Sequence, residues 1–234
     1  MMNFLKKYTE KPIHTNIEDF NTNIVNHYNK NEYTTMDNTY GRVGWSSERG
    51  QIERFRILLS VGVEGGDSIL DYGCGLGDLY RYIKDRGYNI KYTGVDINDG
   101  FIKECIEKIG DNFKKINSYR DLTKRYDWLV ASGVFTVHTS TKYLYDTIDY
   151  LYNISNKGVS FNLMNSSKSG YENEKTFTSN EVPIRGYPIR ETYKYFKTKY
   201  KDVELIEVDT YKLPVELKSY YKKFVQEYNL YIYK

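Results

Sequence analysis

The chain has 234 residues, with 34 basic and 31 acidic side chains spread along its length and a formal charge of +3. No basic block tracks phosphates, so nucleic acid is permitted but not indicated as a partner, and the length suits one α/β domain with added segments. Two separated cysteines exclude a disulfide framework, and no run approaches the roughly 18 apolar residues of a membrane span, so a soluble, cytoplasmic protein is expected. The opening MMNFLKKYTEKPIHTN carries no apolar leader core. The 26 tyrosines accompany many Asn, Lys and Ile residues, a codon-composition bias rather than a base-stacking surface.

From Thr15, a candidate N-cap, the spacing Ile17, Phe20, Ile24, Tyr28 predicts a helix. Residues 29–44 are polar and aperiodic. Ile52, Phe55, Leu58 and Leu59 then mark a second helix that starts after Ser46 or Ser47 and packs on the main domain. Beyond it strands and helices alternate: SILDYG (68–73), a helix over 77–87, KYTGVDI (91–97), a helix over 99–109, FKKINS (113–118), DWLVASG (127–133), a helix over 141–155 and GVSFNLM (158–164). That rhythm predicts a parallel sheet covered on both faces. A helix over 189–200 and strands VELIEVD (203–209) and EYNLYIYK (227–234) follow, the last two able to pair antiparallel. Segments 165–187 and 211–225 read as insertions above the sheet. The expected division is an N-terminal helical cap over 1–59 and a domain over 60–234.

Glycines 73, 75 and 77 follow the first strand, where a doubly wound sheet lets a ligand approach the backbone. Asp96 ends the next strand, nineteen residues after Gly77, where a carboxylate can accept two hydrogen bonds from a ribose diol. A dinucleotide fingerprint needs glycine at the sixth position of Gly-x-Gly-x-x-Gly. Counting from Gly73 that position is Asp78, and from Gly75 it is Tyr80. An acid at the helix mouth repels a pyrophosphate but suits a cationic ligand. A nicotinamide-dependent oxidoreductase is the disfavoured alternative.

The run Leu70-Asp71-Tyr72-Gly73-Cys74-Gly75-Leu76-Gly77-Asp78, with Thr93-Gly94-Val95-Asp96-Ile97, resembles motifs I and II of class I S-adenosylmethionine-dependent methyltransferases. Gly44-Trp45-Ser46-Ser47, Gln51, Arg54-Phe55 and Ala131-Ser132-Gly133-Val134-Phe135 are similar to a bacterial and phage group within them. The resemblance implies an α/β, doubly wound, Rossmann-like sheet of seven strands with an antiparallel final hairpin, and S-adenosyl-L-methionine as cofactor. It implies that Gly73, Gly75 and Gly77 lie against the methionine moiety, with Asp71 accepting from its ammonium. Asp96 would hold the ribose and Ile97 the adenine. Asn117, beside Ser118, is nominated for the adenine amino group. Ala131 and Ser132 would complete the cofactor-binding set.

Methyl transfer needs alignment and exclusion of water more than a nucleophilic side chain. His138, a few residues past the fourth strand, is either a general base or a loop histidine without catalytic duty. Trp45 either anchors the N-terminal segment or helps it close over the cofactor. Arg54 sits either on a solvent face or in a fork with the methionine carboxylate. Cys74 reads as a small packing residue. Arg185 and Tyr187 in the 165–187 insertion either face an acceptor or lie on a surface loop. Three scattered histidines make a metal site improbable. The chain lacks the Asp/Asn-Pro-Pro-Tyr/Phe of amino-methylating DNA enzymes and the Pro-Cys of cytosine C5 methylation. A small molecule or modest polar group is therefore the expected acceptor, with a cofactor-binding protein that transfers nothing, or one that uses the sulfonium for other chemistry, as the alternative, and an RNA methyltransferase behind these.

Overall fold

The computed structural model describes residues 17–45, 47–136, 140–165, 186–208 and 227–234. Four helices come first: α1 (Ile17–Tyr28), α2 (Asn31–Thr34), α3 (Thr39–Arg42) and α4 (Glu48–Leu59). Thr15 lies outside the described residues. The polar, aperiodic stretch 29–44 holds α2 and α3. Side-chain capping explains α3, because the Asn38 Oδ1 accepts from the Gly41 N–H at 2.8 Å, a signal too short to show as periodicity. Of the two serines proposed to open α4, Ser47 is the cap, accepting from the Gly50 N–H at 3.1 Å.

The alternating region gives β1 (Ser68–Tyr72), α5 (Asp78–Asp85), β2 (Lys91–Asp96), α6 (Asp99–Lys108), β3 (Phe113–Lys115), β4 (Tyr126–Ala131), α7 (Thr141–Ile154) and β5 (Ser155–Met164). Then come α8 (Ile189–Lys199), β6 (Asp202–Glu207) and β7 (Glu227–Tyr233). The strands form one seven-stranded sheet in the order β3-β2-β1-β4-β5-β7-β6. The first five pair parallel, and β7 runs antiparallel between β5 and β6. The fold expectation holds, including the antiparallel final hairpin.

β3 is shorter than FKKINS predicts. The backbone N–H groups of Asn117 and Ser118 donate to the Asp121 carboxylate at 2.8 and 3.3 Å, and Ser118 caps a 3-10 turn over Tyr119–Asp121 instead of extending the ladder.

Helices α4, α5 and α6 bury Phe55, Leu58, Ile83 and Ile102 against one face of the sheet. Helices α7 and α8 bury Leu144, Ile148, Leu151 and Phe196 against the other. Residues 69–72 of β1 are buried throughout, as parallel strands covered on both faces require. This sandwich turns the carboxyl ends of the parallel strands β1, β2, β4 and β5 toward one edge. Among the described residues no helix is long and apolar enough to cross a membrane.

Candidate cofactor-binding site

The loop after β1 is tied to the end of β2. The N–H groups of Gly73 and Cys74 both donate to the Val95 carbonyl, at 2.8 and 3.0 Å. Gly75 has φ +53°, a conformation other residues rarely adopt, and a Cβ there would sit 2.9 Å from the Val43 Cγ1. Gly73 and Gly77 also have positive φ. The space that glycine leaves at 73 is filled by Val134 and at 77 by Ile109 and Phe113, so these glycines serve packing around the loop as well as access to it.

Asp96 stands at the end of β2, half-buried. Its Oδ2 accepts from the Gly75 N–H at 2.9 Å and its Oδ1 from the Asn98 N–H at 2.8 Å. Burial raises its pKa, opposed by those backbone donors. An ionised carboxylate offers about four acceptor positions, so it can still accept from a diol. Asp71 is buried, and its Oδ2 accepts from the Tyr92 hydroxyl at 2.6 Å. Burial, reinforced by the charges of Asp96 and Asp78 and opposed by Tyr92, pushes its pKa up to about 7.

Asp78, expected at the helix mouth as an acid that suits a cationic ligand, has partners within the chain. It accepts from Arg81 Nη1 and from Gln51 Nε2, both at 3.0 Å, so part of its charge is met internally. Cys74 and Cys105 are buried beside the Gly75 carbonyl. Burial pushes the Cys74 thiol well up and the Cys105 thiol up to about 12, which keeps both protonated and unreactive.

Arg54 also departs from expectation. It is 1% exposed, and the carboxylate it meets belongs to the chain itself: its Nε donates to Glu227 Oε2 at 2.5 Å. Its Nη1 donates to the Gly50 carbonyl at 2.7 Å, and its guanidinium lies 4.9 Å from the centre of the Trp45 ring. Trp45 also lies against Gly133, whose missing Cβ would sit 3.0 Å from the ring. The Gly133 N–H donates to Asn162 Oδ1 at 2.7 Å, which fixes the turn after β4.

Ala131 ends β4 and is fully buried, and the Ser132 Oγ next to it is buried with no hydrogen-bond partner among the described residues. Ile97 is half-buried and packs on the α7 side of the sheet. Asn117 is exposed; its Oδ1 accepts from Lys115 Nζ at 2.5 Å and its carbonyl from Asn21 Nδ2 at 2.6 Å. The side-chain carbonyl nominated for adenine is thus engaged by lysine. Ser118 serves as a cap. His138 and Arg185 lie outside the described residues, whereas Tyr187 is fully buried and its N–H donates to the Met164 carbonyl at 2.7 Å.

Four residues that the sequence reading assigned no site role join the site. Tyr28 reaches it from α1: burial, then Tyr33 and the Asp96 charge, pushes its hydroxyl above the ordinary tyrosine range. Val43 covers Gly75, Asn162 holds Gly133 and Glu227 holds Arg54. Asn162 had a visible signal, an amide within the apolar run GVSFNLM. Val43 and Glu227 had none, since only the tertiary fold brings them in. Among the described residues no group of three metal-binding side chains occurs.

Residues 69–158 match the family model of a methyltransferase domain. The protein Rv1506c of Mycobacterium tuberculosis, which carries the name of a methyltransferase, is 32% identical over 107 residues, covering 42% of this chain. The chain spans 64% of that relative's length in this match. The magnesium protoporphyrin IX methyltransferase of Synechocystis PCC 6803, solved with bound S-adenosylhomocysteine, superposes with a TM-score of 0.63 at 16% identity, covering 92% of this chain and 99% of that one. The cyclopropane synthase MmaA2 of Mycobacterium tuberculosis gives a TM-score of 0.63 at 12% identity, covering 92% and 98%. The chain therefore has the class I methyltransferase fold, and its residues 69–158 match the methyltransferase-domain family.

Proposed function

We propose that the protein is an S-adenosylmethionine-dependent methyltransferase that acts on a small molecule or a modest polar acceptor. The observation that carries this reading is the pairing of Gly75 with Asp96. The glycine loop orients a carboxylate at the end of β2 through its own N–H and leaves that carboxylate with acceptor capacity for a ribose diol. Two further features fit the same ligand. Asp71, with a pKa of about 7, gains from an ammonium group beside it. The Ser132 Oγ at the end of β4, without a hydrogen-bond partner among the described residues, is a hydroxyl that a polar group of the cofactor would satisfy.

When bound, the cofactor supplies a methyl group already activated by its sulfonium. The protein's part is to hold and align. Asp96 fixes the ribose end, Asp71 and the backbone of Gly73 to Gly77 receive the methionine end, and Ile97 packs against the base. Asn117 can serve the adenine amino group once its amide leaves Lys115. Arg54 acts through Trp45, holding the ring across Gly133 beside the end of β4, where it helps keep water out. Alignment and desolvation of this kind can lower a barrier by roughly 7–11 kcal/mol. His138 is the base for an acceptor that must lose a proton.

The acceptor cannot be taken from the fold, because the similar structures bear the names of a porphyrin methyltransferase and a cyclopropane synthase. Incubation with methyl-labelled S-adenosylmethionine and an acceptor panel, followed by mass spectrometry, tests the proposal. Label on an acceptor is the expected result; tight cofactor binding with label on no acceptor across extracts and panel would contradict transfer.

A further inference from the structure

Tyr28, Val43 and Trp45 lie within one stretch of 18 residues, and each rests on a different landmark of the carboxyl edge. Tyr28 feels the charge of Asp96 and packs beneath Gly44, its ring and hydroxyl 3.5 and 3.6 Å from the position of the absent Cβ. Val43 covers Gly75 and Trp45 covers Gly133. A ligand that reaches both the glycine loop and Asp96 must therefore displace this stretch or slide beneath it.

The stretch cannot hold itself in place. Its middle is α3, a helix of four residues whose turn continues through N–H bonds from Val43 to Thr39, Gly44 to Gly41 and Trp45 to Tyr40. So short a helix has no stability of its own. The end of the stretch meets Arg54 through the Trp45 ring, and its middle is fastened by a forked ion pair: Arg42 donates through Nη1 and Nη2 to the two oxygens of Glu104 on α6, at 2.8 and 2.7 Å. Both side chains are 21% exposed. Arg42, and after it Lys108 at 2.9 Å, hold the Glu104 carboxyl down at about 2, so the pair is charged at any physiological pH. The Arg42 Nε, however, is buried with no partner among the described residues, a desolvation cost that the closed position carries and an open one sheds.

We propose that residues 28–45 are a lid over the cofactor site and that the Arg42–Glu104 pair is its latch, whose release sets the rate of cofactor exchange. The proposal rests on the reading of this site as one for S-adenosylmethionine. Arg42 and Glu104 are positioning residues that act through Val43 and Trp45.

Hydrogen exchange of the ligand-free full chain tests the latch without any cofactor. In Arg42→Ala and in Glu104→Gln, peptides covering 39–45 exchange faster while those of β1, β4 and β5 keep their protection, and the reversed pair Arg42→Glu with Glu104→Arg restores the slow rate. Stopped-flow displacement of S-adenosylhomocysteine then shows release about fivefold faster in each single variant, the effect of losing a partly exposed ion pair. Unaltered exchange over 39–45 in both single variants would overturn the latch. Faster exchange with an unaltered release rate would overturn its control of the cofactor. If the wild-type chain binds no S-adenosylhomocysteine, the cofactor reading fails while the exchange data still judge the latch.

Discussion

Asp71 ties cofactor affinity to pH in a way that calorimetry can read. Its carboxyl is buried against the Tyr92 hydroxyl, with Asp96 and Asp78 adding negative charge, and its pKa stands near 7 rather than at the ordinary 3.8. An ammonium group that donates to this carboxylate needs the anion. Below pH 7 binding must therefore expel a proton, and affinity falls by about tenfold for each pH unit, levelling off above 7, because one pKa unit corresponds to about 1.36 kcal/mol. Isothermal titration with S-adenosylhomocysteine at pH 6 should release close to one proton, seen as a dependence of the measured heat on buffer ionisation enthalpy. Asp71→Asn keeps an acceptor for Tyr92 and removes the titration, so its profile should be flat through the Asp71 window. A flat wild-type profile, or a slope that survives in Asp71→Asn, would refute the assignment of Asp71 to the ammonium. The ligand-free protein carries the opposite sign in its stability. The folded state holds a proton between about pH 4 and 7 that the unfolded chain has released, so stability declines as pH rises through that window, by at most about 4 kcal/mol, and levels off above 7.

Other expectations follow from the same geometry. Removing one member of the buried Arg54–Glu227 pair leaves the other charge uncompensated, so Arg54→Met and Glu227→Gln should each cost about 3–5 kcal/mol in chemical denaturation. The double variant Arg54→Met with Glu227→Leu should recover part of that loss; additive losses would contradict a paired role. If His138 is the base for a hydroxyl acceptor, His138→Gln should lower kcat by about 100-fold or more and leave S-adenosylhomocysteine affinity unaltered, whereas an unaltered kcat would make it a loop residue.

The parts of the site that were legible in the sequence are those built from neighbours along the chain. Glycines 73, 75 and 77 next to an apolar run, and Asp96 at the end of the next run, announce a strand, a turn and a second strand with their spacing intact. The parallel pairing of the first five strands followed from their alternation with helices, which admits few topologies. What stayed hidden depends on long-range contacts. Arg54 falls on a helical repeat that periodicity assigns to solvent or to a ligand, yet Glu227, 173 positions away, draws it into the core. Val43 is an ordinary apolar residue in a polar stretch, and only the fold sets it on Gly75. The early end of β3 was readable in principle, since Ser118 and Asp121 form a capping box, but an apolar-to-polar pattern over six residues looks the same in a strand.

Calorimetric titration of S-adenosylhomocysteine into the wild-type protein and into Asp96→Asn tests the central claim most directly. The substitution preserves size and turns one acceptor oxygen into a donor beside the Gly75 and Asn98 N–H groups. Hydrogen bonds to a charged group contribute about 1.5–3 kcal/mol each, so the wild-type chain should bind and the variant should bind at least tenfold more weakly. No binding by the wild-type chain, or equal affinity in Asp96→Asn, would contradict the placement of the cofactor on the glycine loop and Asp96.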